Sequence, residues 1–160
     1  MNVSTSKKVV IRRFDREPLA GVVNPQTYLA RGGIELLSRE GTALKVPYEE
    51  VKSVDFVRDF EDRQAPPERR VFNARPKTEG LWVRMRFRDG ELMDGLLANN
   101  LLRLEHYGFT IVPPNPSSRS QRIFVPCAAL SEFLVLGVVG SPLRPRKAPR
   151  KPKDQLGLFE

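Results

Sequence analysis

Few side chains in this sequence have the chemistry that catalysis needs. The chain contains one cysteine, Cys127, and one histidine, His106. A cysteine nucleophile requires a neighbouring base and a group that orients the base, and the spacing of these two residues indicates no such arrangement. One Cys and one His are also too few for a zinc site. The sequence therefore predicts neither an enzyme nor a metal or cofactor site.

Three arginines form a more regular pattern. Arg84, Arg86 and Arg88 alternate with apolar residues, which is typical of a strand with one buried face. On such a strand the arginines would lie on one face about 7 Å apart, close to the spacing of successive phosphates in nucleic acid. They are candidate nucleic-acid ligands. The simpler interpretation is a solvated sheet face, because no aromatic side chain lies between the arginines on their own face of the strand to stack on bases.

The strongest concentration of charge lies at the C-terminus. The formal net charge is +8, and residues 141–160 contribute six basic and two acidic side chains. Four prolines in segment 141–154 favour an extended, disordered tail. A basic tail of this kind favours weak, salt-sensitive contact with DNA, RNA or an acidic protein. The candidate contact residues are Arg144, Arg146, Lys147, Arg150, Lys151 and Lys153.

The tail ends in an apolar pentapeptide, Gln155-Leu-Gly-Leu-Phe159. It resembles the Q-L-(S/D)-L-F motif by which bacterial polymerases and repair proteins bind the DNA sliding clamp, with Gly157 in place of the usual Ser or Asp. The resemblance implies that the Gln155 amide contacts a pocket rim and that Leu156, Leu158 and Phe159 fill apolar subsites. The alternative is that this segment folds back on the protein or packs on a neighbouring subunit.

A diverged internal repeat predicts the elements that position these residues. Apolar-basic segments, glycine-containing segments and proline-terminated segments occur in the same order in both halves of the chain. The matched pairs are 10–14 with 83–87, 19–21 with 92–95, and 44–47 with 123–126. Matching order over separated blocks indicates two copies of one structural unit.

The repeat predicts an all-β protein made of two tandem five-stranded barrels. The first barrel spans 7–58 and the second spans 80–140, with a proline-containing linker at 59–79 and the disordered basic tail at 141–160. Asp89-Gly90 predicts a hairpin turn between the first two strands of the second barrel.

The remaining strands follow from short apolar runs that end at turns or prolines. We expect third strands at 34–38 and 109–112, fourth strands at 44–46 and 123–125, and fifth strands at 51–57 and 133–139. A helical turn is expected within 101–107.

The succession of strands in 10–57 resembles the Sm-like proteins, including bacterial Hfq, which have small SH3-like barrels. The features are an apolar-basic strand, an L-x-G strand and the segment V-P-Y-E-E-V-K-S-V around Tyr48. In Hfq this turn contacts RNA through a Tyr-Lys-His signature. Here Glu49 and Glu50 follow Tyr48, and two carboxylates repel phosphate. The resemblance therefore implies the barrel and not the RNA pocket.

The leading prediction for function is a non-enzymatic module that docks on the bacterial sliding clamp through residues 155–159. One alternative is a nucleic-acid-binding Sm-like protein that uses the row of arginines, and another is a regulatory barrel that binds some other protein. No apolar stretch reaches the roughly 18–20 residues that span a bilayer, and no secretory signal is visible. With a single cysteine, these features predict a cytoplasmic protein without a membrane partner.

Overall fold

The computed structural model describes residues 6–60, 71–114 and 120–140. In these ranges eleven strands form one antiparallel sheet, and the helical elements are three short 3₁₀ turns. The strands are β1 (Lys7–Arg13), β2 (Leu19–Val23), β3 (Leu29–Ala30), β4 (Gly33–Ser38), β5 (Ala43–Val46), β6 (Val51–Val57), β7 (Gly80–Phe87), β8 (Leu92–Leu97), β9 (Gly108–Val112), β10 (Ser120–Pro126) and β11 (Leu130–Val139). The protein is all-β, as predicted.

The order of strands in the sheet repeats. The order is β11-β7-β8-β9-β10-β6-β1-β2-β4-β3, and β5 pairs with β4 beside that path. In each half the fifth main strand pairs with the first, followed by the second, third and fourth. The two-residue β3 is an addition to the first half. The internal repeat is therefore present as a repeat of strand order.

Strand pairing does not close either half into a separate barrel. The fourth strand of the second half, β10, pairs with β6 of the first half. We call this β10–β6 pairing the junction. The described residues form one open, continuous sheet through both halves. The finer prediction of two separate five-stranded barrels is therefore not confirmed, since local apolar patterns give strand positions but not the long-range partner of β10.

The predicted turns are present. The Gly90 N–H donates to the Phe87 carbonyl over 2.8 Å, and Gly90 has a φ of 93°, so Asp89-Gly90 forms the turn between β7 and β8. The helical turn expected in 101–107 is a 3₁₀ turn at Leu101–Arg103. The other two 3₁₀ turns, Tyr48–Glu50 and Cys127–Ala129, each follow a proline and connect the fourth and fifth main strands.

The alignment of the first repeat block is shifted by one residue from the prediction. The Phe14 N–H donates to the Glu50 carbonyl, and the Arg88 N–H donates to the Ala129 carbonyl. Since these acceptors end equivalent 3₁₀ turns, Phe14 corresponds to Arg88, whereas the sequence comparison placed Phe14 opposite Phe87. Val10 is fully buried, so β1 lacks the alternation of apolar and polar residues that would have set the register in the sequence comparison.

Each half has its own hydrophobic core. The first core contains Val9, Ile11, Val23, Tyr28, Ile34, Leu36, Val46, Tyr48, Val51, Val54, Phe56 and Phe124. The second contains Val83, Met85, Phe87, Met93, Leu97, Ile111, Ile123, Val125 and Ala129. Phe124 lies on β10 yet packs in the first core, while its neighbours Ile123 and Val125 pack in the second. One strand thus contributes to both cores.

The predicted linker 59–79 lies partly outside the described residues, which exclude 61–70. Its described end contacts the second half. The Phe72 N–H donates to Asp94 over 3.1 Å, and Arg75 donates to the Val138 carbonyl over 2.6 Å. Residues 71–79 are therefore attached to the sheet that they precede.

Candidate interaction surfaces

Arg84, the first arginine of the predicted row, is bound to a buried carboxylate. Its Nε donates to Asp94 Oδ1 over 2.7 Å and its Nη2 donates to Oδ2 over 2.9 Å. Asp94 is fully buried and also accepts hydrogen bonds from the Trp82 indole and the Phe72 backbone. The hydrogen bonds to Asp94 raise the pKa of Arg84 above its ordinary value. The charge of Arg84 is therefore compensated inside the protein.

The other two arginines of the row also have partners. Arg86 Nε lies 3.8 Å from Glu132 Oε1 on β11, and both side chains are about half exposed. Arg88 lies beyond the end of β7, where its guanidinium covers the Phe14 ring at 4.0 Å and donates to the Glu49 carbonyl. The three arginines do not form a uniform row of free charges. Their nucleic-acid role stays a prediction.

Charged and aromatic side chains join the two halves at Phe14, Lys52, Arg88, Asp89 and Glu91, which we name the seam. Lys52 on β6 reaches the hairpin between β7 and β8, with its Nζ 2.7 Å from Asp89 and 3.3 Å from Glu91. The same Nζ lies 5.7 Å from the centre of the Phe14 ring. The hydrogen bond from Lys52 lowers the pKa of Asp89. The seam fixes the first hairpin of the second half against the first half.

The turn that aligns with the Hfq RNA signature is packed against the second half. The Tyr48 hydroxyl donates to the Ala30 carbonyl over 2.7 Å, and its ring stacks on Tyr107 with 4.7 Å between centroids. Burial raises the pKa of Tyr48 to about 12. Glu50 in the same turn lies 3.9 Å from Arg16. Tyr48 therefore supports the contact between halves, and its hydroxyl is already bonded.

Strand β11 forms one edge of the sheet. It pairs with β7 on one side and, within the described ranges, with no strand on the other. Its exposed apolar side chains are Leu134 (45%), Val135 (54%), Leu136 (39%) and Val138 (46%). At the far end of the strand Arg75 donates to the carbonyl of Val138. We call β11 the free edge, since an exposed apolar edge strand is a typical site for pairing with another chain.

An apolar groove lies beside β5, the fourth main strand of the first half. Its volume is about 680 Å³. The apolar lining comes from β2, β4, β5 and the segment after β2, and includes Val22, Val23, Tyr28, Leu36, Leu37 and Leu44. Burial raises the pKa of Tyr28 well above its ordinary value, so its hydroxyl stays neutral. The groove is a second candidate binding surface and fits an apolar strand or side chain better than an anion.

The two residues considered for nucleophilic catalysis lie on contacting segments. Cys127 is exposed, and its backbone N–H donates to the Tyr107 carbonyl over 3.0 Å. His106 precedes Tyr107, and the two rings pack edge to face at 4.8 Å. The described ranges contain no group of three or more His, Cys, Asp or Glu side chains that could hold a metal ion.

The residues predicted to bind the clamp, Gln155, Leu156, Leu158 and Phe159, lie outside the described residues, as does the basic tail that precedes them. Among the helices that the structure describes, none has the length and hydrophobicity needed to cross a bilayer.

Comparison with known proteins places both halves in one family. The model of a family of unknown function, DUF6982, matches residues 5–137. The chain belongs to this family. No curated protein and no solved structure matches the chain. The DUF6982 match contains the junction, the seam and both cores, and it ends within β11. Residues 138–160, with the pentapeptide, are outside it.

The sequence reasoning missed two features of this DUF6982 protein. The first is the ion pair between Arg84 and Asp94, which are directly opposite each other in the β7–β8 hairpin. The register set by Asp89-Gly90 could have revealed this pair. The second is the presence of two candidate binding surfaces, the free edge and the groove. Local sequence has no signal for them, because exposure of a strand edge depends on which strands pair over long distances.

Proposed function

We propose that this DUF6982 protein is a non-enzymatic interaction module that docks on the bacterial DNA sliding clamp through Gln155–Phe159. The observation that supports the proposal is the match of this pentapeptide to the clamp-binding motif at four of its five positions. The fifth main strand of the second half ends at Val139, sixteen residues before the motif. The strand repeat is therefore complete without the motif.

Each half of the folded region is proposed to be an Sm-like unit. The support is the common strand order, the 3₁₀ turn between the fourth and fifth main strands, and one hydrophobic core per half. The RNA-binding role of Sm-like proteins is not part of the proposal. Tyr48 is engaged with Ala30, and Glu49 and Glu50 occupy the position where phosphate would need positive charge.

The chemistry of the tail fits a protein pocket near DNA. An extended peptide can present Leu156 and Leu158 to one side, and Gly157 permits the local bend that Phe159 needs. Six basic residues in the same tail would raise the rate of encounter with acidic protein and with DNA. In this account the apolar side chains supply the specific contact, and the charge supplies a weaker, salt-dependent attraction.

The test is binding of the full chain to purified sliding clamp by fluorescence anisotropy or calorimetry. We expect Gln155→Ala/Phe159→Ala to weaken binding at least about tenfold, because it removes the polar anchor and the largest apolar contact. Leu143→Ala is the matched control, since it truncates an apolar residue of the same tail outside the motif, and it should change affinity by less than about twofold.

Salt separates the clamp contact from general attraction to polyanions. Binding through the apolar pocket should persist between 50 and 200 mM salt, whereas retention on nucleic acid should fall steeply, by roughly 10³-fold for six phosphate contacts. The proposal is wrong if the double variant binds the clamp as well as the unmodified chain, or if the unmodified chain shows no binding at about 100 μM.

A further inference from the structure

The junction shows how the fourth main strand of one half binds the fifth main strand of the other. In β10 and β6 the directly opposed residues are Ile123 with Asp55, Phe124 with Val54, and Arg122 with Phe56. Phe124 is fully buried in the first core, where its ring packs edge to face on Tyr28 at 6.0 Å. The junction therefore combines antiparallel strand pairing with insertion of side chains into the adjoining core.

The two strands at the junction have equivalents at the two ends of the sheet. The shared prolines and 3₁₀ turns make β5 the equivalent of β10 and β11 the equivalent of β6. In this alignment Leu44 corresponds to Ile123, and Leu134 corresponds to Asp55. Strand β5 pairs only with β4 and β11 only with β7 within the described residues. Each of the two strands that pair at the junction therefore has an equivalent at an edge that no described strand covers.

The side chains of the free edge have the exposure expected of a junction strand without its partner. Phe56 and Val57 on β6 are 6% and 8% exposed, beside β10. Their equivalents on β11, Val135 and Leu136, are 54% and 39% exposed. The alignment therefore relates buried apolar residues at the junction to uncovered apolar residues at the free edge.

The groove shares residues with the strand equivalent to β10. Ala43, Leu44 and Lys45 of β5 line it, and they are the equivalents of Arg122, Ile123 and Phe124 of β10. At the junction Arg122 lies over the Phe56 ring, with 5.4 Å from its guanidinium carbon to the ring centre. In the first half no described strand covers β5 on that side. Strand β5 therefore has an edge like the one by which β10 pairs with β6, and the residues of that edge also line the groove.

We infer that the free edge of one copy of this chain pairs with β5 of a second copy, head to tail, in the register of the junction. Leu134 then lies opposite Leu44, Val135 opposite Ala43 and Phe133 opposite Lys45, and the Val135 side chain covers the groove. A second copy fits better than an unrelated partner because one chain contains both complementary surfaces and already joins their equivalents. The contact is heterologous, so it extends to a ring or a chain of copies.

The contact between copies is weaker than the junction. Lys45 stands where β10 has Phe124, so the large aromatic anchor of the junction is missing. A lysine on an edge strand also disfavours indiscriminate pairing. The assembly is therefore reversible and depends on protein concentration.

The test is the mass of the full chain in solution, measured by light scattering after size exclusion over a range of about 1 to 500 μM. The unmodified chain should rise from the monomer mass of 18.2 kDa to multiples of it. Val135→Asp disables the free edge and Ala43→Asp disables the acceptor edge, and each buries a carboxylate opposite an apolar residue. Each variant alone should weaken assembly at least about tenfold.

Mixing the two variants distinguishes head-to-tail pairing from pairing of two free edges. The Ala43→Asp chain retains a working free edge and the Val135→Asp chain retains a working β5, so their mixture should form dimers and stop there. Both substitutions are at exposed positions, and recovery of dimers shows that both variants are folded. Leu102→Asp is the matched control, because Leu102 is 96% exposed and lies on neither edge, and it should assemble like the unmodified chain.

Four results would overturn the inference. They are a monomer at every concentration, self-assembly of Ala43→Asp alone as tight as that of the unmodified chain, unchanged assembly of Val135→Asp, and a mixture that stays monomeric. The second result would indicate symmetric pairing of two β11 strands.

Discussion

Strands β6 and β11 hold the same position in the two halves of the sheet, but among the described strands only β6 has a neighbour on both edges. Beside β10, the β6 residues Val54, Phe56 and Val57 are buried, whereas Leu134, Val135 and Leu136 of β11 are 45%, 54% and 39% exposed. Burial in this protein is therefore decided by the pairing partner, and the apolar content of a strand does not guarantee it.

The two strands also differ in the residue at the centre of the pairing. Asp55 of β6 is buried and bound by Arg12 over 2.7 Å and by the Ser53 hydroxyl over 2.9 Å. The equivalent residue of β11 is Leu134, which needs no ionic partner. A covered strand can hold a charge because its neighbours satisfy it, while the uncovered strand has an apolar side chain ready to be buried.

The largest expected effect comes from removing the side chain that covers β6. Phe124→Ala should lower the free energy of unfolding by about 3–5 kcal/mol, because it leaves a cavity in the first core and loosens the junction. Val135→Ala on the free edge should cost less than about 0.5 kcal/mol at concentrations where the protein is monomeric. Urea unfolding followed by tryptophan fluorescence measures both. Equal costs would mean that the two strands are not differently covered.

A smaller effect is expected from the charge at the junction. Arg12→Met leaves the Asp55 carboxylate buried without its cation and should cost about 3 kcal/mol. The reciprocal change, Leu134→Asp, introduces the same carboxylate into the free edge, where water can solvate it, at less than about 0.5 kcal/mol. Thermal unfolding of dilute samples gives the comparison. A severe loss of stability in Leu134→Asp would show that β11 is covered in the monomer.

Sequence alone predicted the strands of both halves but not how the halves join. Alternating and continuous apolar runs marked the main strands, and Asp89-Gly90 marked its turn, because these signals are local. The partner of β10 is a strand more than 60 residues earlier, and no local pattern specifies it. The row of arginines was visible, whereas the ion pair that compensates the charge of Arg84 depends on the register of the β7–β8 hairpin, which places Asp94 opposite it.

The candidate site was predicted in a similarly uneven way. The pentapeptide Gln155–Phe159 is recognisable from residue types alone because a linear motif acts without a fold. The groove and the free edge are assembled from separate strands and became visible only in the sheet. If copies join head to tail, each assembly presents several pentapeptides, and simultaneous docking would strengthen clamp binding without any new contact.

The smallest expected effect concerns the seam, which holds the first hairpin of the second half against the first half. The hydrogen bond from Lys52 lowers the pKa of Asp89, so this pair stabilises the fold above the unfolded carboxyl pKa of about 3.9 and the contribution is lost as pH falls through the lowered value. Asp89 is partly exposed, so Asp89→Asn should cost only about 0.5 kcal/mol at pH 7.

The pH dependence provides the control for this pair. The difference in unfolding free energy between Asp89→Asn and the unmodified chain should shrink toward zero as pH falls through the lowered pKa of Asp89, below which both chains lack the charge. A difference that stays constant throughout this fall in pH would indicate that the pair contributes through shape and not through charge.

Amide hydrogen exchange of β6 and β11 tests the central comparison most directly. The backbone N–H groups of Val54–Phe56 should be protected at all protein concentrations, because β1 and β10 pair with this part of β6 from its two sides. Alternate N–H groups of Leu130–Val139 should exchange rapidly in dilute protein, since an edge strand leaves every second group unpaired, and should become protected as concentration rises. Protection of β11 equal to that of β6 in the most dilute sample, or no gain with concentration, would contradict the account.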